Sequence, residues 1–138
     1  MTNYGNRKEI SGRYFGISRF VQEKRSCKVV LDSLVVSDTY ICDITFLEIL
    51  TGCFTVEKRE YTLNWLEVYG LLKYNEKISD KSIQLMKRYC IQRSGQPALR
   101  LADCLIAAFA IHYNMELLTF NKKDFEFIQG ISIHPLSK

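Results

Sequence analysis

The sequence predicts an α/β domain with a mostly parallel central sheet flanked by helices, on three observations. Short β-rich apolar runs alternate with helical segments along the chain, the pattern of a sheet whose strands are joined by crossover helices. The stretch "LADCLIAAFAIHYNMELLTF" joins a strong helix to a buried strand through Asn114, a residue that tolerates the left-handed turn conformation. No internal repeat or low-complexity segment competes with this organisation.

Residues 14 to 34 read mostly as helix, although "CKVVLDSLVV" also suits a strand. "DTYICDI" (38 to 44) is a short β-rich run. "TFLEILTG" follows as a helix, with Thr45 as N-cap and Gly52 as stop. "REYTLNWLEVYGLL" reads as a further helix, and "LKYNEKI" as containing a short strand. Ser79 opens a helix running to about Arg93, broken by "SGQP". "LADCLIAAFAIHY" is the best helix in the chain, "MELLTFN" a buried strand and "ISIHPL" a final strand ended by Pro135.

The 138 residues suffice for one domain with a real core. Their 47% hydrophobic and 25% charged content is globular, not disordered. The longest apolar run, Cys104 to Ile111, is too short to cross a bilayer, and no charged-then-apolar leader opens the chain. Cysteines 27, 42, 53, 90 and 104 are odd in number and form no CxxC or Cys/His spacing, so they read as reduced thiols of a cytoplasmic protein. With only His112 and His134 available, a metal site would need oxygen ligands. Basic residues gather twice: in the first 28 residues, and at Lys81, Lys87, Arg88, Arg93 and Arg100. Such patches attract phosphates, or serve merely as solvated faces.

Lengths bring the acidic residues together. A helix from Asp103 to Tyr113 rises roughly 15 Å, and a strand from Met115 to Asn121 returns roughly 20 Å. Asp103 is thereby expected to face Asn121 or Asp124 at the carboxyl edge of the sheet, where open α/β sheets bind ligands. Carboxylates converging there repel unless a cation sits between them, and oxygen ligation suits magnesium or manganese. Each acid alone also has a structural reading: Asp103 as a helix N-terminal charge, Asp124 as an N-cap for "FEFI". Glu48 interrupts the apolar "TFLEIL" and is expected near-buried at the same edge.

"ITFLEILTG", "LADCLIAAFAIHYNMELLTFNKKDF" and "IQGISIHP" together resemble the PIN-domain proteins, in particular the VapC-like toxins of bacterial toxin–antitoxin pairs. The shared pattern is Asp followed by Leu-Ile-Ala-Ala, an apolar strand ending Thr-x-Asn, then Lys-Asp-Phe and a closing strand. The resemblance covers residues 37 to 136 of a single domain spanning 1 to 138, with 1 to 36 as an atypical N-terminal segment. It implies a Rossmann-like fold and a magnesium-dependent endoribonuclease. It also implies a homodimer neutralised by an antitoxin protein. Glu48, Asp103 and Asp124 match acidic, metal-binding positions of the family, and Asn121 matches a polar neighbour. Lys81 and Arg88 would guide the RNA backbone.

The N-terminus departs from the family. Its proteins begin with an apolar strand ending in an aspartate followed by Thr/Ser and Asn. "MTNYGNRKEISGRYFGISRF" offers neither, so the first strand is expected to be missing or replaced. Asp32 in "KVVLDSLVVSD" copies the missing motif, but only 15 residues separate it from Glu48. Cleavage is therefore expected to be weak. Two alternatives stay open: a catalytically impaired PIN-like domain that binds RNA or an antitoxin, and an unrelated α/β domain for a small phosphorylated ligand. The second ranks below because no Gly-rich loop follows a strand.

Overall fold

The computed structural model describes residues 38–135 and 137 together with the backbone of residues 14–18. Among the described residues, five strands form one sheet: β1 (Tyr14–Ser18), β2 (Thr39–Cys42), β3 (Gly70–Leu72), β4 (Glu116–Thr119) and β5 (Ser132–Ile133). Their order is β3-β2-β1-β4-β5, and every neighbouring pair is parallel. Parallel neighbours need crossover connections, and four helices lie between the described strands: α1 (Asp43–Thr51), α2 (Val56–Leu66), α3 (Glu76–Tyr89) and α4 (Leu101–His112).

The first strand is the main correction to the sequence reading. Tyr14–Ser18, taken as the start of a helix, occupies the centre of the sheet. It pairs with β2 through Tyr14↔Thr39 and with β4 through Tyr14↔Glu116. Two neighbouring ladders impose extended backbone on a segment whose own pattern does not demand it. The register shifts between Phe15 and Ser18, and Ser18 then pairs in register with Thr119 at the carboxyl end.

Other boundaries move for local reasons. Cys42 caps α1 in place of Thr45: its Sγ accepts the Thr45 N–H at 3.4 Å, and Thr45 is itself buried inside the helix. The segment read as one helix through Leu72 stops at Leu66 and resumes as β3. Gly70 is required there, because a Cβ would lie 2.5 Å from Cδ1 of the Tyr40 ring on the adjacent strand. Asn75 caps α3 instead of Ser79, its Oδ1 accepting the Ile78 N–H at 2.9 Å, and the helix ends at Tyr89.

Alternation along the strands divides the core into two layers. Tyr40, Cys42 and Leu117 face a large cluster with Ile78, Leu85, Ile106 and Phe109 from α3 and α4. Ile41 faces a smaller one with Ile49, Leu66 and, at its margin, Phe120. Helices α3 and α4 form an antiparallel hairpin. Leu99 N–H donates to Tyr89 O at 2.9 Å, Cys104 Sγ to Ser82 O at 3.2 Å, and the Tyr74 and Phe109 rings meet at 6.2 Å. Asn114 takes φ 51° after α4 and turns the chain into β4, as expected.

Candidate functional site

Asp103 sits in the first turn of α4 and is 6% exposed. Its neighbours Cys104, Ile106, Ala107 and Ala108 belong to the core. A carboxylate in the first turn is favoured by the helix dipole, but its burial carries a desolvation cost that a merely electrostatic helix start would avoid by facing water. Arg100 occupies the N-cap and makes no side-chain cap hydrogen bond.

Asn121 and Asp124 follow β4. Both are half-buried, and Asp124 closes a short 3-10 turn, Lys122–Asp124, in which its N–H donates to Asn121 O at 2.9 Å. The Asn121 N–H donates to Thr119 Oγ1 at 3.0 Å, tying the turn to the end of the strand. No helix covers "FEFI", so Asp124 is not its cap. Phe125 and Ile128 anchor this segment in the core instead.

Glu48 corrects an expectation, being exposed rather than near-buried. Thr45 and Ile49, four residues apart, take the inward face of α1, which turns Leu47 and Glu48 outward. Asp32 lies outside the described residues. The strand Tyr14–Ser18 itself contains no acidic residue.

Asp43, which the sequence places within the β-rich run 38 to 44, is a further acid at a strand end. It opens α1 directly after β2. Its Oδ2 accepts the Tyr74 N–H at 2.9 Å, joining the carboxyl ends of β2 and β3, while Oδ1 is buried with no hydrogen-bond partner among the described residues. The signal that could have found it was an aspartate directly after an apolar strand.

Among the described residues, no three Asp, Glu, His or Cys side chains form a group able to hold a metal ion. A cage made by the protein alone is therefore not seen there. Magnesium is commonly held by one or two carboxylates and completed by water and substrate phosphate. A buried Asp103 and the orphaned Asp43 Oδ1 are oxygen donors of the kind that mode requires.

The expected RNA contacts differ from each other in placement. Lys81 is half-buried and bonds Gln84 Oε1 through Nζ at 3.1 Å. Arg88 is exposed, in the last turn of α3, with its guanidinium 5.4 Å from the Tyr89 ring centroid. Cys42, beside Asp43, is a buried thiol whose pKa is pushed from 9.0 up to about 11 by loss of hydration, offset in part by hydrogen bonds to Thr45. No described helix is long and apolar enough to cross a membrane.

The family model for the PIN domain matches residues 18–129. No curated protein sequence matches the chain. Solved structures do. A toxin–antitoxin complex from Klebsiella pneumoniae has a chain 23% identical with a TM-score of 0.69, covering 91% of this chain and 99% of that one. A DNA-bound VapBC from Salmonella typhimurium gives 20% identity, a TM-score of 0.64, and coverage of 88% and 96%. FitAcB from Neisseria gonorrhoeae gives 22% identity, a TM-score of 0.63, and coverage of 83% and 88%. At these identities the likeness is one of fold.

Proposed function

The chain belongs to the PIN domain family, and from that premise we propose that it is the VapC-like toxin of a toxin–antitoxin pair, a magnesium-dependent endoribonuclease that hydrolyses RNA phosphodiester bonds. The observation that carries the reading is Asp103: a buried carboxylate set into an otherwise apolar helix, at the position that matches an acidic site of the family. Similarity of fold to chains of toxin–antitoxin complexes supports the assignment to such a pair. A cytoplasmic location, a homodimer and an antitoxin protein as partner belong to the same proposal.

Asp103, and Asp43 through its buried Oδ1, would hold magnesium (or manganese) in the mode of one or two carboxylates completed by water and substrate phosphate, with Asp124, Asn121 and the exposed Glu48 as the other expected groups of the edge and not as a single cage. When bound, the ion supplies an acidified water and neutralises charge on the scissile phosphate. The chain's own residues supply the rest. Asp103, fixed by the rigid start of α4, holds its charge in one place, so that positioning does not have to be re-established at each turnover. A carboxylate of the edge accepts the proton of the attacking water. Basic residues of the α3–α4 hairpin, Lys81 and Arg88 among them, steer the RNA backbone.

A second reading is favoured by one observation. The central strand β1 contains no acid where the family places one. A PIN domain that binds RNA or an antitoxin with little cleavage would look the same from outside the edge. Cleavage of a labelled single-stranded RNA in magnesium decides between them. The nuclease reading expects measurable cutting, lowered at least about 10 to 100-fold by Asp103→Asn, a common cost of losing one such group. Equal rates in wild type and Asp103→Asn would overturn it, and no cutting by either would leave the binding reading.

A further inference from the structure

From Lys81 to Ala102 the chain carries five cations and no acid. The structure divides them. Lys81 and Arg88 already have intramolecular contacts, with Gln84 and the Tyr89 ring. Lys87, Arg93 and Arg100 are exposed, and none has an ion-pair partner among the described residues.

These three lie close along the chain to the closed end of the hairpin. Leu99 N–H bonds Tyr89 O at 2.9 Å, so Lys87, two residues before Tyr89, and Arg100, one after Leu99, flank the same closure. Between them Arg93 and Gln96 exchange two backbone hydrogen bonds of 3.0 Å around Ser94 and Gly95. Gly95 takes φ 73°, a conformation that favours glycine. This small closed turn holds Arg93 outward on a fixed backbone. Arg100 is the N-cap of α4, one helical turn ahead of Asp103.

We infer that Lys87, Arg93 and Arg100 form the phosphate-backbone docking surface of the protein, and that its occupant is single-stranded RNA lying across the hairpin tip toward Asp103. The inference rests on the nuclease reading for the identity of the polymer. The tip has the sign and the exposure that phosphates require, and none of its three cations is ion-paired among the described residues. A peptide partner has a better-suited surface elsewhere. Phe54, Val56 and Tyr61, at and before α2, are 88%, 62% and 72% exposed and offer apolar anchors, which protein interfaces use more than isolated cations.

The experiment measures anisotropy of a labelled 12-nucleotide single-stranded RNA across a salt series. It compares wild type, the triple variant Lys87→Gln/Arg93→Gln/Arg100→Gln, the double variant Lys81→Gln/Arg88→Gln, Glu60→Gln, and Asp103→Asn. Each single-strand phosphate contact contributes roughly 0.7 to the slope of log affinity against log salt, so the triple variant should lose about 2. The double variant should lose less, and Glu60→Gln, an exposed substitution on α2 away from the tip, should keep the wild-type slope; Asp103→Asn serves only the cleavage readout. An unchanged slope in the triple variant, or wild type failing to hold the RNA, overturns the proposal. So does tighter, triple-variant-sensitive binding of an acidic peptide or a DNA duplex of equal length. RNA cleavage lost in Asp103→Asn alone would leave the nuclease reading standing even then. A slope lost in the triple variant while no protein cuts RNA would leave the docking surface standing without the nuclease.

Discussion

Helices α4 and α2 have 12 and 11 residues, and they are opposites. Seven residues of α4 are buried, Asp103 through Ala110 with the exception of Leu105. In α2 only Leu66 is buried. The difference starts in the sequence: "LADCLIAAFAIH" has one formal charge before its terminal histidine, while "VEKREYTLNWL" has four consecutive charged residues. A helix apolar all round must be enclosed, and one so polar needs little enclosure. The comparison shows what a charge means in each setting. Glu60 in α2 is exposed and pairs with Arg59 at 3.2 Å, a surface contact of small worth. Asp103 in α4 is a carboxylate kept where hydration is scarce, which is why it, and not the more numerous acids of α2, marks the candidate site.

The comparison breaks most visibly through Phe109, which is fully buried in α4 and stacks on Tyr113 at 6.4 Å. Phe109→Ala should cost about 3 to 5 kcal/mol in urea denaturation. A loss below about 1 kcal/mol would mean that the hairpin collapses around the gap, and that α4 is less tightly enclosed than described.

The α4 side of the sheet also holds two buried thiols, Cys42 and Cys104, each with its pKa raised first by loss of hydration. A group whose pKa is higher in the folded state binds its proton more tightly there. Its stabilising effect is complete below the unfolded value of 9.0 and fades as pH climbs through the folded value, for Cys42 about 11. That rise is worth roughly 3 kcal/mol. Denaturation at pH 8, 9.5 and 11 should show stability falling across that window, with the fall reduced in Cys42→Ala relative to its own value at pH 8. Equal falls in both proteins would assign the alkaline loss to other groups.

Least affected should be Tyr61→Ser, on the exposed face of α2, within about 0.5 kcal/mol of wild type. A larger loss by the same urea measurement would show that α2 is covered in solution, and the contrast between the two helices would then belong to the isolated chain only.

How much of this could be read from residues alone follows the same contrast. The helix 101–112, its reversal at Asn114 and the strand after it are dictated locally, by an unbroken apolar run and a residue that accepts positive φ. The strand Tyr14–Ser18 was not legible. "YFGIS" contains a glycine and stands between arginines, and its conformation comes from two neighbours remote in the chain. The end of α2 was misread because Leu71 and Leu72 continue a helical spacing. The parallel pairing with β2 and the Tyr40 ring over Gly70 reveal the strand. At the site, burial of Asp103 agrees with what an apolar surround suggests, whereas Glu48 was judged by its sequence neighbours when the inward face of α1 was already taken by Thr45 and Ile49.

The central place of β1 has a consequence for how the protein is made. Its first partner, β2, leaves the ribosome soon after it, but its second, β4, is encoded some hundred residues later. At about 5 to 20 residues per second, the nascent chain carries a half-paired central strand for roughly 5 to 20 s. During that time one row of backbone donors and acceptors stands open to any other extended segment. Synthesis itself thus opens an interval in which a second chain, emerging nearby, can reach the middle of the sheet before β4 closes it.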